Sequence, residues 1–227
     1  MIFFEHAFKR TLKQKWLLLG LTVFPLGLAL APQPATEVVP IGFSMYGLLI
    51  IFSAFLMTKQ ILEDRMQKTI VRIAAAPVDH KTYLLGHLGA YLTILMVQNV
   101  VFVIMTVILW RDITISYGLL LIIYILFTAL SITFTLFWHM LFKSYATSVA
   151  VFSVIINILA MLGGLIIPLK FMPSAITDLT IVLPTYWLAY GLQALFDQAY
   201  GTYFLSLSII IAFAIIFLVI GSKRRLE

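Results

Sequence analysis

Apolar positions gather in six long runs along the chain, parted by short polar breaks. They cover Trp16–Ala31, Ile41–Thr58, Tyr83–Leu109, Tyr117–Phe142, Thr147–Ile167 and Tyr203–Ile220. At 1.5 Å per residue the later runs are long enough for about 30 Å of hydrocarbon. The first, which ends at Pro32 and Pro34, is short but extendable through the lead before it. In that lead, residues 1–15, Phe4, Phe8 and Leu12 recur at four-residue spacing among Lys9, Arg10, Lys13 and Lys15, which predicts a helix lying in the interface plane. A cleaved signal peptide is the rival reading of this region, since Ala29-Leu30-Ala31 resembles a cleavage site. The lead is long for an n-region and the run long for an h-region, which favours a retained span. Residues 168–201 are moderately apolar and broken by Pro168, Pro173 and Pro184. They predict short re-entrant helices outside the membrane, with Tyr186, Trp187 and Tyr190 at headgroup level, rather than a seventh span.

The wettest stretch is the polar loop at residues 59–82. Between Lys59 and Lys81 lie Lys59, Glu63, Asp64, Arg65, Lys68, Arg72, Asp79 and Lys81, 8 of the chain's 24 charged residues. Within it, Thr69–Ala76 can form about two helical turns, with Thr69 as N-cap and Pro77 barring continuation. Ile70, Ile73 and Ala74 share one face while Arg72 points elsewhere. Asp79 offers a second N-cap leading into the third run. A short amphipathic rod between two greasy segments is a surface that another protein can push or pull.

Composition sets the class. With 63% hydrophobic and 11% charged residues and a mean hydropathy of +1.09, the chain has more apolar surface than a soluble core of this length could bury. It reads as an all-α integral membrane protein, a single domain over 1–227. The absence of cysteine removes disulfides, cysteine zinc sites and thiol catalysis. Placing the N-terminus in the cytoplasm puts 13 of the 15 basic residues inside, leaving only Arg111 and Lys170 outside. Both termini then face the cytoplasm. The net charge of +6 follows from this topology and from anionic inner-leaflet lipid, with no need of a nucleic-acid partner.

Chemistry is sparse. Every Asp and Glu lies outside the six runs, which disfavours a carrier driven by protons or sodium. No Gly-Lys dipeptide occurs, so the chain has no P-loop. Ser44 and His139 are the pair an intramembrane serine protease would want, but no glycine follows in the serine motif. A packing serine and an interfacial histidine are the simpler reading. Gln98, Asn99 and Asn157 are uncharged polar groups at membrane depth, suited to hydrogen bonds between helices or to lining a pathway. Phe43, Tyr46, Phe52 and Phe55 on the second run, with Met161 on the fifth, are candidates for the same greasy route, or for lipid-facing and packing roles. Neither a catalytic group nor a metal site is expected.

Two stretches carry a resemblance. Asp64-Arg65-Met66-Gln67-Lys68-Thr69-Ile70-Val71-Arg72-Ile73-Ala74-Ala75-Ala76-Pro77-Val78, then Tyr83-Leu84-Leu85-Gly86, resembles the loop between second and third spans of type 2 ABC transporter permeases. Thr69, Pro77 and Tyr83 to Gly86 match, whereas Lys68 replaces the usual glycine and His87 the usual lysine. Gly163-Gly164-Leu165-Ile166-Ile167-Pro168, Met172-Pro173 and Leu183-Pro184-Thr185-Tyr186-Trp187 are similar to the end of the fifth span and the extracellular helices after it. Here Gly164, Pro168, Pro173, Pro184 and Tyr186 mark the motif. With the six-span plan, the resemblance covers nearly the whole chain.

The resemblance implies the permease half of an ATP-driven exporter in a prokaryotic plasma membrane. The rod would be the coupling helix, with Glu63, Asp64, Arg65, Lys68, Thr69, Arg72 and Pro77 docking it on a separate ATP-binding subunit, present in two copies. ATP and Mg would be bound there, and no cofactor by this chain. A second permease chain, as homodimer or heterodimer, would complete a route formed mainly by second and fifth spans. An uncharged aromatic interior points to a hydrophobic or amphipathic cargo such as a drug, antibiotic, peptide or lipid-like molecule. Glycan or haem-related export shares the plan. A carrier not driven by ATP and a non-transporting sensor or scaffold are the competing classes.

Overall fold

The computed structural model describes residues 2–30, 39–66, 80–110 and 115–223. Among these residues there are nine α-helices and one 3-10 turn: α1 (Ile2–Leu12), α2 (Lys15–Ala29), α3 (Ile41–Met66), α4 (His80–Leu109), α5 (Tyr117–His139), α6 (Tyr145–Leu162), the turn Leu169–Phe171, α7 (Ser174–Thr180), α8 (Pro184–Phe196) and α9 (Tyr200–Lys223). Five contain stretches long and apolar enough to cross a bilayer: Ile41–Asp64, Leu85–Leu109, Tyr117–His139, Tyr145–Leu162 and Tyr200–Gly221. They match the last five apolar runs.

The first run departs from expectation. α2 has 15 residues, about 22 Å of helix against about 30 Å of hydrocarbon. The lead does not extend it, because the helix breaks at Lys13 and Gln14, where Gln14 has φ −84° and ψ 74°. Helix length among the described residues therefore accounts for five full spans and one short apolar helix. α1 is a separate element, and it is not merely laid on the surface. Ala7 and Thr11 are fully buried, facing Met57, Ile61, Tyr91 and Leu95 of α3 and α4.

The fifth span also stops earlier than the apolar run. At its end Gly164 takes φ +85°, the left-handed conformation open to glycine, and the Leu165 N–H reaches back to the Ala160 carbonyl at 2.9 Å. This cap closes α6 at Leu162 although the sequence stays apolar to Ile167.

The largest core lies where α3, α5, α8 and α9 meet. Leu120, Ile123, Tyr124 and Phe127 of α5 are fully buried there, with Tyr46 of α3, Leu188 and Leu192 of α8, and Ile210 of α9. Pro184 starts α8 at the position where its missing N–H costs nothing. This helix packs into the bundle. Phe196 packs edge-on against Phe43 at 5.5 Å, and the Thr185 hydroxyl donates to the Leu159 carbonyl at 2.8 Å. Exposed apolar surface falls instead on the preceding turn and α7, at Phe171 and Leu179.

Candidate functional site: the charged end and the polar interior

The end of α3, the starts of α4 and α6, helix α1, and the far ends of α5 and α9 meet at one end of the bundle. Contacts that fix this include Phe3 against Tyr83 at 5.6 Å, Lys59 over the Tyr145 ring at 4.4 Å, and Gly221 beside Phe137. Lys9, Arg10, Lys59 and Lys143 thus lie on the end where α3 stops and α4 starts, while Lys170 lies at the other.

Asp64 is the centre of this end. One carboxylate oxygen accepts a hydrogen bond from the Arg10 guanidinium at 2.8 Å, and the other accepts one from the Tyr83 hydroxyl at 3.0 Å. Arg10 also reaches Glu63 at 3.4 Å, and Glu63 pairs with Lys59 one turn back at 3.0 Å. Burial works against the Arg10 charge, but the hydrogen bond and charge of Asp64 prevail and hold the guanidinium above its usual range. Below this cluster the Gln60 amide donates to Thr11 at 3.2 Å. Three helices, α1, α3 and α4, are therefore tied together by one carboxylate and its neighbours. Gly86 permits the close approach: a Cβ there would stand 2.8 Å from the Phe3 Cβ and 3.2 Å from the Phe4 nitrogen. His87 is buried, and its Nδ1–H donates to the Tyr83 carbonyl at 3.0 Å.

Of the residues expected to dock a partner, Glu63 and Asp64 end α3 and are engaged within the chain. Arg65 belongs to the same helix, but its side chain lies outside the described residues, as do Lys68, Thr69, Arg72 and Pro77 altogether.

The pathway candidates separate into two groups. Tyr46, Asn99 and Thr128 form a buried chain across α3, α4 and α5, with the Tyr46 hydroxyl donating to Asn99 at 2.7 Å and the Asn99 amide to Thr128 at 2.8 Å. Gln98 donates to Ser53 at 3.4 Å. Phe43 and Phe55 are buried, and Phe55 stacks on Phe152 of α6 at 4.0 Å. These side chains join helices to one another. Phe52, Asn157 and Met161 are the more accessible group. Asn157 folds onto the Ser153 carbonyl at 2.7 Å on an exposed face of α6 that also carries Val154, Ile158 and Met161. In the extracellular motif, Pro168 precedes the 3-10 turn, Pro173 precedes α7, and Tyr186 stacks on Tyr190 at 5.4 Å.

A family model described as ABC-2 family transporter protein matches residues 16–223. The chain belongs to the ABC-2 transporter family. It is a membrane permease subunit of an ABC transporter, not the ATPase. A search of curated proteins found no match.

In this permease Ser44 and His139 are not a catalytic pair. His139 Nε2–H donates to the Phe55 carbonyl at 3.2 Å, and Nδ1 faces the Ser148 hydroxyl at 3.3 Å, near the charged end, whereas Ser44 starts α3 at the opposite end. Sequence reasoning missed Arg10 and Tyr83 as partners of Asp64. They stand 54 and 19 positions away, and no local pattern in the sequence marks either contact.

Proposed function

We propose that this permease exports a hydrophobic or amphipathic molecule, driven by a separate ATP-binding subunit that docks on the loop at residues 67–79 from the cytoplasm. The clamp made by Asp64 carries the reading. The loop leaves α3 just after Asp64 and enters α4 just before Tyr83, and those two residues are joined to each other and to α1. A push on the loop therefore moves three helices as one body instead of flexing a tether. The gathering of basic residues at that end favours its cytoplasmic placement.

ATP-driven closure of two ATP-binding subunits would shift the loops of two permease chains and exchange inward for outward access. The faces of α3 and α6 suit a route between the chains. A cavity of about 200 Å³ lies beside them within the chain, bounded by Ile51 of α3, Phe127 and Leu130 of α5, Ile156 of α6, Thr185 of α8 and Phe217 of α9. The exposed face of α6 would meet the second chain, with Asn157 offering a polar group to it.

One doubly substituted variant and one purification test this. The tagged permease should copurify with a P-loop ATPase. Arg65→Glu together with Arg72→Glu should leave insertion intact and abolish cargo-stimulated ATP hydrolysis. Transport that persists without ATP and collapses with the ion gradient would reject the reading.

A further inference from the structure

A cavity lies between α2 and α3, on the side of α3 that meets α2. It measures about 410 Å³ and is bounded by Gly20, Leu21 and Phe24 of α2 and by Phe52, Ser53 and Leu56 of α3. That volume suits one small ligand. Phe24 and Leu56, 64% and 42% exposed, form its outer lips, while Leu21 and Ser53 are buried in its floor.

Ser53 is the single polar side chain among those that bound it, and it stands midway along its span. Many serines and threonines elsewhere in the helices return their hydroxyl protons to a carbonyl one turn back, as Thr58, Thr128, Ser131 and Ser206 do. Ser53 makes no such bond. It accepts from the Gln98 amide instead, which leaves its own proton without an acceptor. Behind it Gln98, 4% exposed, has a carbonyl oxygen with no hydrogen-bond partner. Turning the amide over merely exchanges the deficit, leaving its NH₂ unpaired. An unsatisfied buried amide is costly in any apolar medium, and a hydrocarbon chain filling the cleft would not relieve it.

We infer that the α2–α3 cleft is a lateral binding site for an apolar alcohol drawn from the bilayer, its hydrocarbon body between Phe24 and Leu56 and its hydroxyl at Ser53. Ser53 is the one polar side chain in the lining, so a hydroxyl that accepts its proton is held where a hydrocarbon chain is not. The site shares Phe52 with the candidate transport route but needs no ATP coupling, so binding is measured on the full permease chain alone.

The chain is placed in nanodiscs of saturated phosphatidylcholine and irradiated with a long-chain alcohol carrying a diazirine, or with the matching alkane. Labelled peptides are then mapped. The alcohol should label 16–31 and 41–58 about fivefold more than the alkane does, the factor of one net hydrogen bond. Ser53→Ala and Gln98→Leu should each reduce that preference, while Ser53→Thr keeps it. Gly20→Leu should remove labelling by both probes, since a side chain there enters the cleft with only the Phe24 ring within 4 Å. Monodisperse elution and unchanged helicity confirm folding of each variant. Equal labelling by alcohol and alkane, or label spread as strongly over the outer face of α9, would overturn the site as simple lipid contact. A chain that fails to transport yet keeps the alcohol preference would reject the export reading alone.

Discussion

Replacing Asp64 by Asn changes one charge at the point where α1, α3 and α4 meet. The amide keeps an acceptor for the Tyr83 hydroxyl but no longer balances Arg10, whose remaining carboxylate is Glu63 at 3.4 Å. Exposed ion pairs contribute about 0–1 kcal/mol, and stripping one partner from a fully buried pair costs about 3–5 kcal/mol. Here the two side chains are 11% and 31% exposed, between those limits. We therefore expect a loss of about 2 kcal/mol, or about 4–8 °C in the unfolding midpoint of a chain this size. The assay is thermal unfolding by intrinsic fluorescence in nanodiscs, for Asp64→Asn, Arg10→Gln and the double variant. The double variant should fall short of the sum of the singles by about 1 kcal/mol or more, because both remove the same contact. Simple additivity, or an unchanged midpoint for Asp64→Asn, would show that the clamp does not join the three helices.

Three further outcomes are expected. Tyr46→Phe should cost about 0.6–1.7 kcal/mol, the range for hydrogen bonds between membrane helices, and Asn99→Leu more because it also strips Thr128 of its donor; the same unfolding assay reads both. Gly86→Val should push α1 off α4, exposing residues 2–12 to limited proteolysis while the five long helices remain. Gly164→Ala should lower the unfolding midpoint by forcing a side chain into the left-handed conformation and against Leu169, only 2.6 Å from such a Cβ.

Much of the bundle is legible in the chain because a bilayer admits few solutions. Long apolar runs must become helices, and α3, α4, α5 and α9 appear where the runs stand; α3, α4 and α9 are extended at their polar ends, and α5 stops at His139, three residues short of its run. Hydropathy does not record where a helix is capped. It carried the fifth span to Ile167, although Gly163-Gly164 is itself a recognisable stop, and it could not show that the backbone breaks at Gln14. Pairing across distance was the harder loss. Asp64 read as a loop charge that docks a partner, because nothing local to it reveals that Arg10 arrives from α1. Likewise Asn99 was readable as a polar group at depth, but its bond to Tyr46 depends on how α3 and α4 are set against each other. The cleft beside Ser53 left no pattern in the sequence, since it arises from Gly20 on one helix facing Leu49 to Leu56 on the next.

The chain contains no cysteine, so a single one introduced by Arg72→Cys reports on the loop alone. Cross-linking from that position in intact membranes, followed by mass spectrometry of the adduct, should capture an ATPase carrying a P-loop, in amounts that change when ATP is trapped. Capture of no ATPase while the same cysteine is modified by a membrane-impermeant thiol reagent from outside the cell would contradict a drive applied from the cytoplasmic face.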